Sequence, residues 1–353
     1  MGGCRVGVLG AGSISERYIR GLQQHQGIRV AAVAGHGSVR ARRIGERRGV
    51  AAFDAEAFFY MAREGAYDLV LNLTPAAQHC RSTERLLRAG CHVYSEKPLA
   101  PDRRTAGRLV ELARTSGLRL GCGPAIALGR PWQALADDIR SRRFGRFLGG
   151  HSSLAYAGPE LFHHSPDHLY GPGAGPLWDM GIYHVALVSH LFGPIASVFA
   201  RSSRLHPTRT IAKGPQSGRV FGVETDTDVA GIFALASGPS ITFHYSFDTR
   251  ATASPGLELR FETATVRVGR PETFAPSLSL ARSPGDWAPL YPDLSTGPVP
   301  DDIWAGGAVL TATARDASDL GPVSAEHAYH HVCVLESVDI SARSGQPVSL
   351  GAG

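Results

Sequence analysis

The sequence predicts an α/β protein of two domains: an N-terminal doubly wound parallel sheet, then a C-terminal α+β domain with a large, mostly antiparallel open sheet. Three observations predict it. Over the first 122 residues, short apolar strands alternate with helical segments of about 10 to 16 residues, the rhythm of right-handed βαβ units. From about residue 195 to 270, strand patterns follow one another with turns and no helix between them, which implies antiparallel pairing. The length, 353 residues, is enough for two cores. The boundary is drawn after residue 123, giving domains 1–123 and 124–353. The C-terminal helix is free to pack back on the first domain.

The elements follow in order. "RVGVLG" is an apolar strand ending in glycine, and "SISERYIRGLQQH" is helical. "IRVAAVAG" and "SVRARRIGERRG" form the next strand and helix. "VAAF" is a brief third strand. "DAEAFFYMARE" is a helix with Asp54 as its N-cap. "YDLVLNLTP" is the fourth strand, and "AQHCRSTERLLRAG" a helix stopped by glycine. "CHVYSEKP", "DRRTAGRLVELARTSG" and "LRLGCGP" complete the series. The pattern then changes. "RPWQALADDIRSRRFG" is a helix and "RFLGGHSSLAYAG" a strand. A Gly/Pro/His-rich loop over 158–176 leads into a helix within "GPLWDMGIYHVALVSHLFG". Strands follow in "IASVFARSSRL", "TDVAGIFALASG", "SITFHYSF" and "LELRFETATVRV". Residues 271–301 read as Pro-rich and irregular, and "SAEHAYHHVCVLESVDISARSG" as a final helix.

Hydrophobic residues make up 43% and charged residues 19%, ordinary for a globular chain. The net charge is +5. The basic residues are mostly arginines spread along helices, with no basic block interleaved with aromatics, so nucleic acid is not an expected partner. No apolar run reaches the roughly 18 residues of a membrane span. The N-terminus has no secretory pattern. Val6 stands where a myristoylation signal needs Ser or Thr. The five cysteines are odd in number and lack metal-type pairs, so they are expected to be reduced, in the cytoplasm.

"VGVLGAGSIS" places Gly10 and Gly12 between the first strand and its helix. A dinucleotide site needs a tight turn there, with backbone close to a pyrophosphate at the helix N-terminus. Ser15 replaces the third glycine of the pattern and is small enough for close helix–strand packing. The acid that ends the second strand in NAD sites, and binds a ribose hydroxyl, is absent. His36, Ser38 and Arg40 stand there instead, able to contact a 2′-phosphate, so the cofactor is read as NADP or NAD with a lean to NADP.

Glu96-Lys97-Pro98 follows the fifth strand. Ligands of open α/β sheets bind outside the carboxyl ends of the strands. A lysine there can hold a substrate oxygen and stabilise alkoxide character during hydride transfer. With "GAGSIS", "LTPAAQH" and "EKP", and further on "GAGPLWDMGIYH" and "SAEHAYHHVCVLESVDISARSGQPVSL", the chain resembles the glucose–fructose oxidoreductase/inositol dehydrogenase (Gfo/Idh/MocA) family, in order over nearly its whole length. The resemblance implies an N-terminal Rossmann domain. It also implies a C-terminal domain whose sheet makes a homodimer or homotetramer. The implied reaction is hydride transfer between a nicotinamide and a secondary alcohol or ketone of a sugar, cyclitol or related polyol. By resemblance, Lys97 is the catalytic lysine. Cofactor contacts map onto Gly10, Gly12, Ser13, Ile14, Thr74, Pro75, His79 and Glu96, and onto Lys97 itself. Two departures stand out: the missing acid after strand two, and a sheet turn in "LELRFETATVRV" without the family's glycine pair.

Asp179, Tyr183 and His184 are the candidate acid/base group. In a regular helix, positions four apart differ by about 40° and positions five apart by about 140°. Tyr183 then shares a face with Asp179 and His184 does not, provided the helix is regular from Asp179 onward. The family places Asp four residues before a His or a Tyr, and this sequence resembles the tyrosine type. Tyrosine ionises near pH 10 and needs a nearby cation, which Lys97 can supply. His184, with an ordinary pKa near 6.5, is the competitor, and it returns if Gly181 starts the helix late. His190 is read as structural. The loop histidines lack an acidic or Cys ligand at a recurring spacing, so no metal is expected. His164, Tyr170 and Trp178 are the candidate substrate contacts, with Trp178 placed either to stack on a sugar face or to fill the core. Two alternatives to a dehydrogenase are a redox-neutral lyase- or epimerase-type enzyme with retained cofactor, and a non-catalytic dinucleotide sensor.

Overall fold

The computed structural model describes residues 3–35, 38–295 and 298–351, except the side chain of Ser38. In chain order its elements are β1 (Cys4–Leu9), α1 (Ser15–Gln23), β2 (Ile28–Ala34), α2 (Ser38–Arg48), β3 (Ala51–Phe53), α3 (Ala55–Arg63), β4 (Leu69–Asn72), α4 (His79–Arg88), β5 (His92–Ser95), α5 (Arg103–Thr115) and β6 (Leu120–Cys122). Then come α6 (Arg130–Arg140), β7 (Phe147–Ala155), α7 (Ile182–Phe192), β8 (Ile195–Ser203), β9 (Thr208–Thr210), β10 (Val220–Gly222), β11 (Asp228–Leu235), β12 (Ser240–Ser246), β13 (Leu257–Phe261), β14 (Thr265–Val268), β15 (Leu278–Ala281) and β16 (Ala288–Leu290). The chain ends with α8 (Asp301–Trp304), α9 (Gly306–Thr313), α10 (Ala325–Ser344) and β17 (Val348–Ser349). It forms two compact units: Met1–Gly129 with Gly297–Val332, and Arg130–Thr296 with Cys333–Gly353.

The first unit holds a six-stranded parallel sheet, ordered β3-β2-β1-β4-β5-β6. Its central strands are apolar on both faces because helices cover both: every residue of β4 is buried. Asp54 caps α3 by accepting from the Ala57 amide at 2.8 Å, and Asp102 caps α5 from the Thr105 amide at 2.7 Å. The later segment joins this unit through α1. Arg17 and Arg20 both pair with Asp301, and the Arg17 guanidinium lies 4.2 Å from the Trp304 ring centroid. A Cβ at Gly21 would meet the Asp301 carbonyl oxygen at 2.1 Å, so only glycine permits this approach. The unit therefore takes in residues well beyond the boundary drawn at 123.

The second unit is built on a nine-stranded sheet, ordered β16-β15-β14-β13-β7-β12-β11-β8-β17. Its pairings are antiparallel except β7 with β12. Strands β15 and β16 occupy the stretch expected to be irregular. The hairpin of β9 and β10 stands apart as a two-stranded flap. Helix α7 is buried nearly all round against the sheet. Trp178 donates to Asp339 at 2.8 Å, and the Ala200 amide donates to Ser341 at 2.9 Å, which ties the end of α10 to this unit. No helix among the described residues is long and apolar enough to cross a membrane.

Candidate active site: a glycine turn, a lysine loop and a π-turn

In the first unit, Gly10 has φ +118°, and a Cβ there would meet the Leu73 carbonyl oxygen at 2.3 Å. Both facts require glycine. Gly12 differs: a Cβ would meet no protein atom within 4 Å. Its side-chain space is open. Ser15, fully buried, closes the turn by donating its hydroxyl to the Gly12 carbonyl at 2.7 Å. Ser13 and Ile14 are exposed at the start of α1, and no side chain caps that helix. An uncapped helix N-terminus with an open glycine before it fits a pyrophosphate. At the end of β2, Gly35 packs against Ala11 and the first turn of α2 carries no acid. Arg40 is exposed there. His36 and the side chain of Ser38 lie outside the described residues.

Thr74 and Pro75 follow β4, half-buried and exposed respectively. The Thr74 hydroxyl donates to Asn72 at 2.7 Å. His79 is not at the surface, where a cofactor contact would place it. It is 2% exposed, with Nδ1 2.9 Å from the Pro98 carbonyl oxygen and Nε2 2.6 Å from that of Thr74. Both ring nitrogens are occupied by protein, so the expected cofactor contact is corrected to an internal one.

The loop after β5 is equally ordered. The Glu96 amide donates to the Asn72 carbonyl at 2.9 Å. The Glu96 carboxylate accepts from the Tyr18 hydroxyl of α1 at 2.5 Å and from the Lys97 amide at 3.1 Å. Glu96 thus fastens the lysine loop to the helix that opens at the glycine turn. Lys97 is half-buried, and its peptide bond to Pro98 is cis.

In the second unit, Asp179 does not sit in a regular helix. Residues Leu177–Gly181 form a π-helical turn, and α7 begins at Ile182. A π-turn closes i→i+5 bonds and rotates less per residue than an α-helix, so positions five apart come nearer alignment than regular phase allows. The regular-helix condition attached to Tyr183 is therefore not met. Burial separates the two candidates instead. His184 is 1% exposed, with Nδ1 2.7 Å from the Ser152 hydroxyl, which also meets the Tyr245 hydroxyl at 2.9 Å. Burial pushes its pKa down to about 3. Tyr183 and Asp179 are half-buried. His190 lies in the last turn of α7.

Two residues near Asp179 escaped sequence reading. Tyr156, just past β7, has its phenol pushed up by burial and then by the Asp179 charge. Burial and the neighbouring His168 hold the His163 imidazole below its ordinary value, while Asp179 pulls it up. Tyr156 ended a strand pattern and gave no signal. His163 was one of three loop histidines with nothing to single it out.

The expected substrate contacts divide. His164 is exposed and packs on the Gly214 turn. Tyr170 is fully buried in a cluster with Ile211, Phe221, Val223 and Phe247, and its hydroxyl donates to Glu160. Trp178 is 5% exposed, with its indole N–H on Asp339. Both are core residues, which corrects the expectation for Tyr170 and places Trp178 on the core side of its two readings. Beneath the flap, Arg209 pairs with Glu160 at 3.0 Å and with Asp248, whose other oxygen accepts from Thr227 at 2.6 Å. Among the described residues, no group of three or more His, Cys, Asp or Glu is placed to hold a metal.

Two family models match the chain. Residues 4–123 match the oxidoreductase family with an NAD-binding Rossmann fold, and residues 132–267 match the GFO/IDH/MocA C-terminal domain. A dTDP-3,4-didehydro-2,6-dideoxy-α-D-glucose 3-reductase from Actinomadura kijaniata is 38% identical over 285 residues, 79% of each chain. An NAD-binding oxidoreductase from Klebsiella pneumoniae superposes with a TM-score of 0.83 at 18% identity, covering 99% of this chain and all of that one. A lysine-to-alanine variant of a 3-ketoreductase from Actinomadura kijaniata, in complex with TDP-benzene and NADP, superposes with a TM-score of 0.72 at 21% identity, covering 96% and 98%. With both domains matched and a relative this similar over most of both chains, the protein belongs to the Gfo/Idh/MocA family of oxidoreductases.

Proposed function

We propose that the protein is an NADP(H)-preferring reductase of a sugar ketone, with a nucleotide-linked deoxysugar as the substrate class. The observation that carries the reaction type is the Glu96-Lys97-Pro98 loop, fastened by Tyr18 to the helix of an open glycine turn. The substrate class rests on the 38% identical relative, whose name is that of a dTDP-sugar 3-reductase. NADP is favoured by the missing acid and by exposed Arg40 in the first turn of α2.

The bound nicotinamide supplies the hydride in reduction and accepts it in oxidation. The Lys97 ammonium holds the substrate oxygen and stabilises the negative charge that develops there. Tyr183 gives that oxygen its proton in reduction and takes it back in oxidation. Asp179 orients the substrate, with Tyr156 and His163 beside it. His184 is set aside as proton donor because its neutral ring is fully buried, with Nδ1 on Ser152. Tyr170 and Trp178 pack in the core, on the Glu160 and Asp339 carboxylates. The large exposed apolar pair Phe199 and Ile232, opposite each other on β8 and β11, supports self-association through the sheet. The five free cysteines are in keeping with a cytoplasmic protein.

The test is the nicotinamide absorbance with a dTDP-linked 3-keto sugar against free keto sugars, using NADPH and NADH in turn. Lys97→Ala and Tyr183→Phe are each expected to cut turnover by about 100-fold or more, Tyr183→Phe while leaving dinucleotide binding intact. Unchanged turnover in Lys97→Ala would sink the reaction assignment. Much tighter binding of NADH would overturn the NADP preference. Equal rates on free sugars would remove the nucleotide-linked class.

A further inference from the structure

His79 is a buried titratable side chain that the reaction above does not use. It is the first residue of α4, and its ring reaches in two directions. One nitrogen meets the carbonyl of Thr74, in the loop after β4; the other meets the carbonyl of Pro98, in the loop that carries Lys97. Both partners are acceptors only, so each contact requires the ring to donate. A neutral imidazole has one N–H and bonds one of the two; the imidazolium bonds both. Burial and the Lys97 charge work against the charged ring, and the two carbonyls and Glu96 work for it. The balance holds the imidazole below its ordinary value, so the neutral ring donates to one carbonyl while standing against both.

The backbone around the ring is held in the same way. The His79 carbonyl accepts from the Asn72 side-chain amide at 3.1 Å, and the same amide donates to Thr83 at 3.0 Å. The other end of Asn72 accepts from the Thr74 amide and hydroxyl. Asn72 is fully buried with both side-chain polar atoms used. The His79 ring is thus the side chain that joins this ordered β4 loop to the loop after β5.

We propose that His79 is a positioning residue for Lys97: a strut between the Thr74 and Pro98 carbonyls that sets where the Lys97 loop stands relative to the loop after β4. The inference rests on the catalytic reading of Lys97. It replaces a cofactor contact with an internal one, because a ring occupied at both nitrogens has no edge left for a ligand.

The chain itself supplies a clean test. Its 36 basic side chains include only two lysines, Lys97 and exposed Lys213. Amine acylation of the full-length protein, followed by peptide mass, therefore reads Lys97 directly with Lys213 as internal reference and needs no substrate. Wild type is compared with His79→Gln, which keeps a donor but cannot span both carbonyls, and His79→Phe, which fills the space and bonds neither. Dinucleotide affinity is measured alongside by NADPH and NADH fluorescence. The Lys97/Lys213 rate ratio is expected to change about three- to tenfold in both variants, the size of one lost hydrogen bond, with dinucleotide affinity nearly unchanged. A ratio unchanged in a folded His79→Gln variant overturns the proposal. So does a loss of dinucleotide affinity of about tenfold, or 1.4 kcal/mol, with the ratio unchanged, which marks a cofactor contact. If His79→Phe does not fold, His79→Gln decides alone. Should Lys97 not be catalytic, the ratio still moves while Lys97→Ala keeps its turnover, so the two failures are distinct.

Discussion

At the scale of single residues, the glycine turn separates two demands that a motif treats alike. Gly10 is required by the protein's own backbone, because its left-handed φ and the nearby Leu73 carbonyl exclude any side chain. Gly12 is not, since a Cβ there touches nothing. Gly10→Ala should therefore destabilise the first unit by about 1–3 kcal/mol, read by urea unfolding. Gly12→Ala should leave stability unchanged and weaken dinucleotide binding by about tenfold, because the added methyl stands where the pyrophosphate must approach. Equal stability losses in both variants would refute this division. Sequence spacing named both glycines but could not say which one serves the fold. That depended on where Leu73 lies, and Leu73 arrives from another strand.

At the scale of elements, the π-turn shows where local reading stops. The Asp179–Tyr183 pairing assumed one regular helix, and periodicity cannot register a single wide turn. The flap of β9 and β10 was missed for a related reason. Each strand is three residues long, too short for an alternation to be visible. What anchors the flap is a buried ion network, with Arg209 only 12% exposed between Glu160 and Asp248. Arg209→Met leaves two buried carboxylates without their cation and should cost about 3–5 kcal/mol. Urea unfolding measures it, and a loss below about 1 kcal/mol would show that the network is effectively a solvated surface pair. Helices α8 and α9 also escaped: "DDIWAGGAVLTAT" is mostly small residues, with no apolar stripe to mark a face.

At the scale of the whole molecule, buried histidines make acid stability a folded-state property. His184 and His330 have pKa values pushed down by burial to about 3 and about 4. A depressed pKa means the unfolded chain binds the proton first. The stability these groups supply is complete above the unfolded value near 6.5 and is lost as pH falls toward the folded values. Each group contributes a slope of about 1.4 kcal/mol per pH unit in that window. Unfolding free energy should therefore fall steadily on acidification below pH 6.5, and more shallowly in His184→Gln. Parallel slopes for the two proteins would show that His184 is not the buried neutral ring that its place against Ser152 makes it.

The sequence by itself determined the parallel sheet, its order of strands and helices, the glycine turn and the place of Lys97 after β5. These are local: apolar runs bounded by turn residues and caps such as Asp54 specify them within a few residues. Tertiary structure alone decided that Tyr170 and Trp178 are core, that His184 is buried, and that His79 spans two loops. Each of those outcomes depends on atoms far along the chain. Glu160 and Phe221 enclose Tyr170, Asp339 takes the Trp178 indole, Ser152 holds His184, and Pro98 receives His79. A side chain's residue type states which bonds it can make. Only the packed fold states which partner is there to accept them, and whether any surface is left for a ligand.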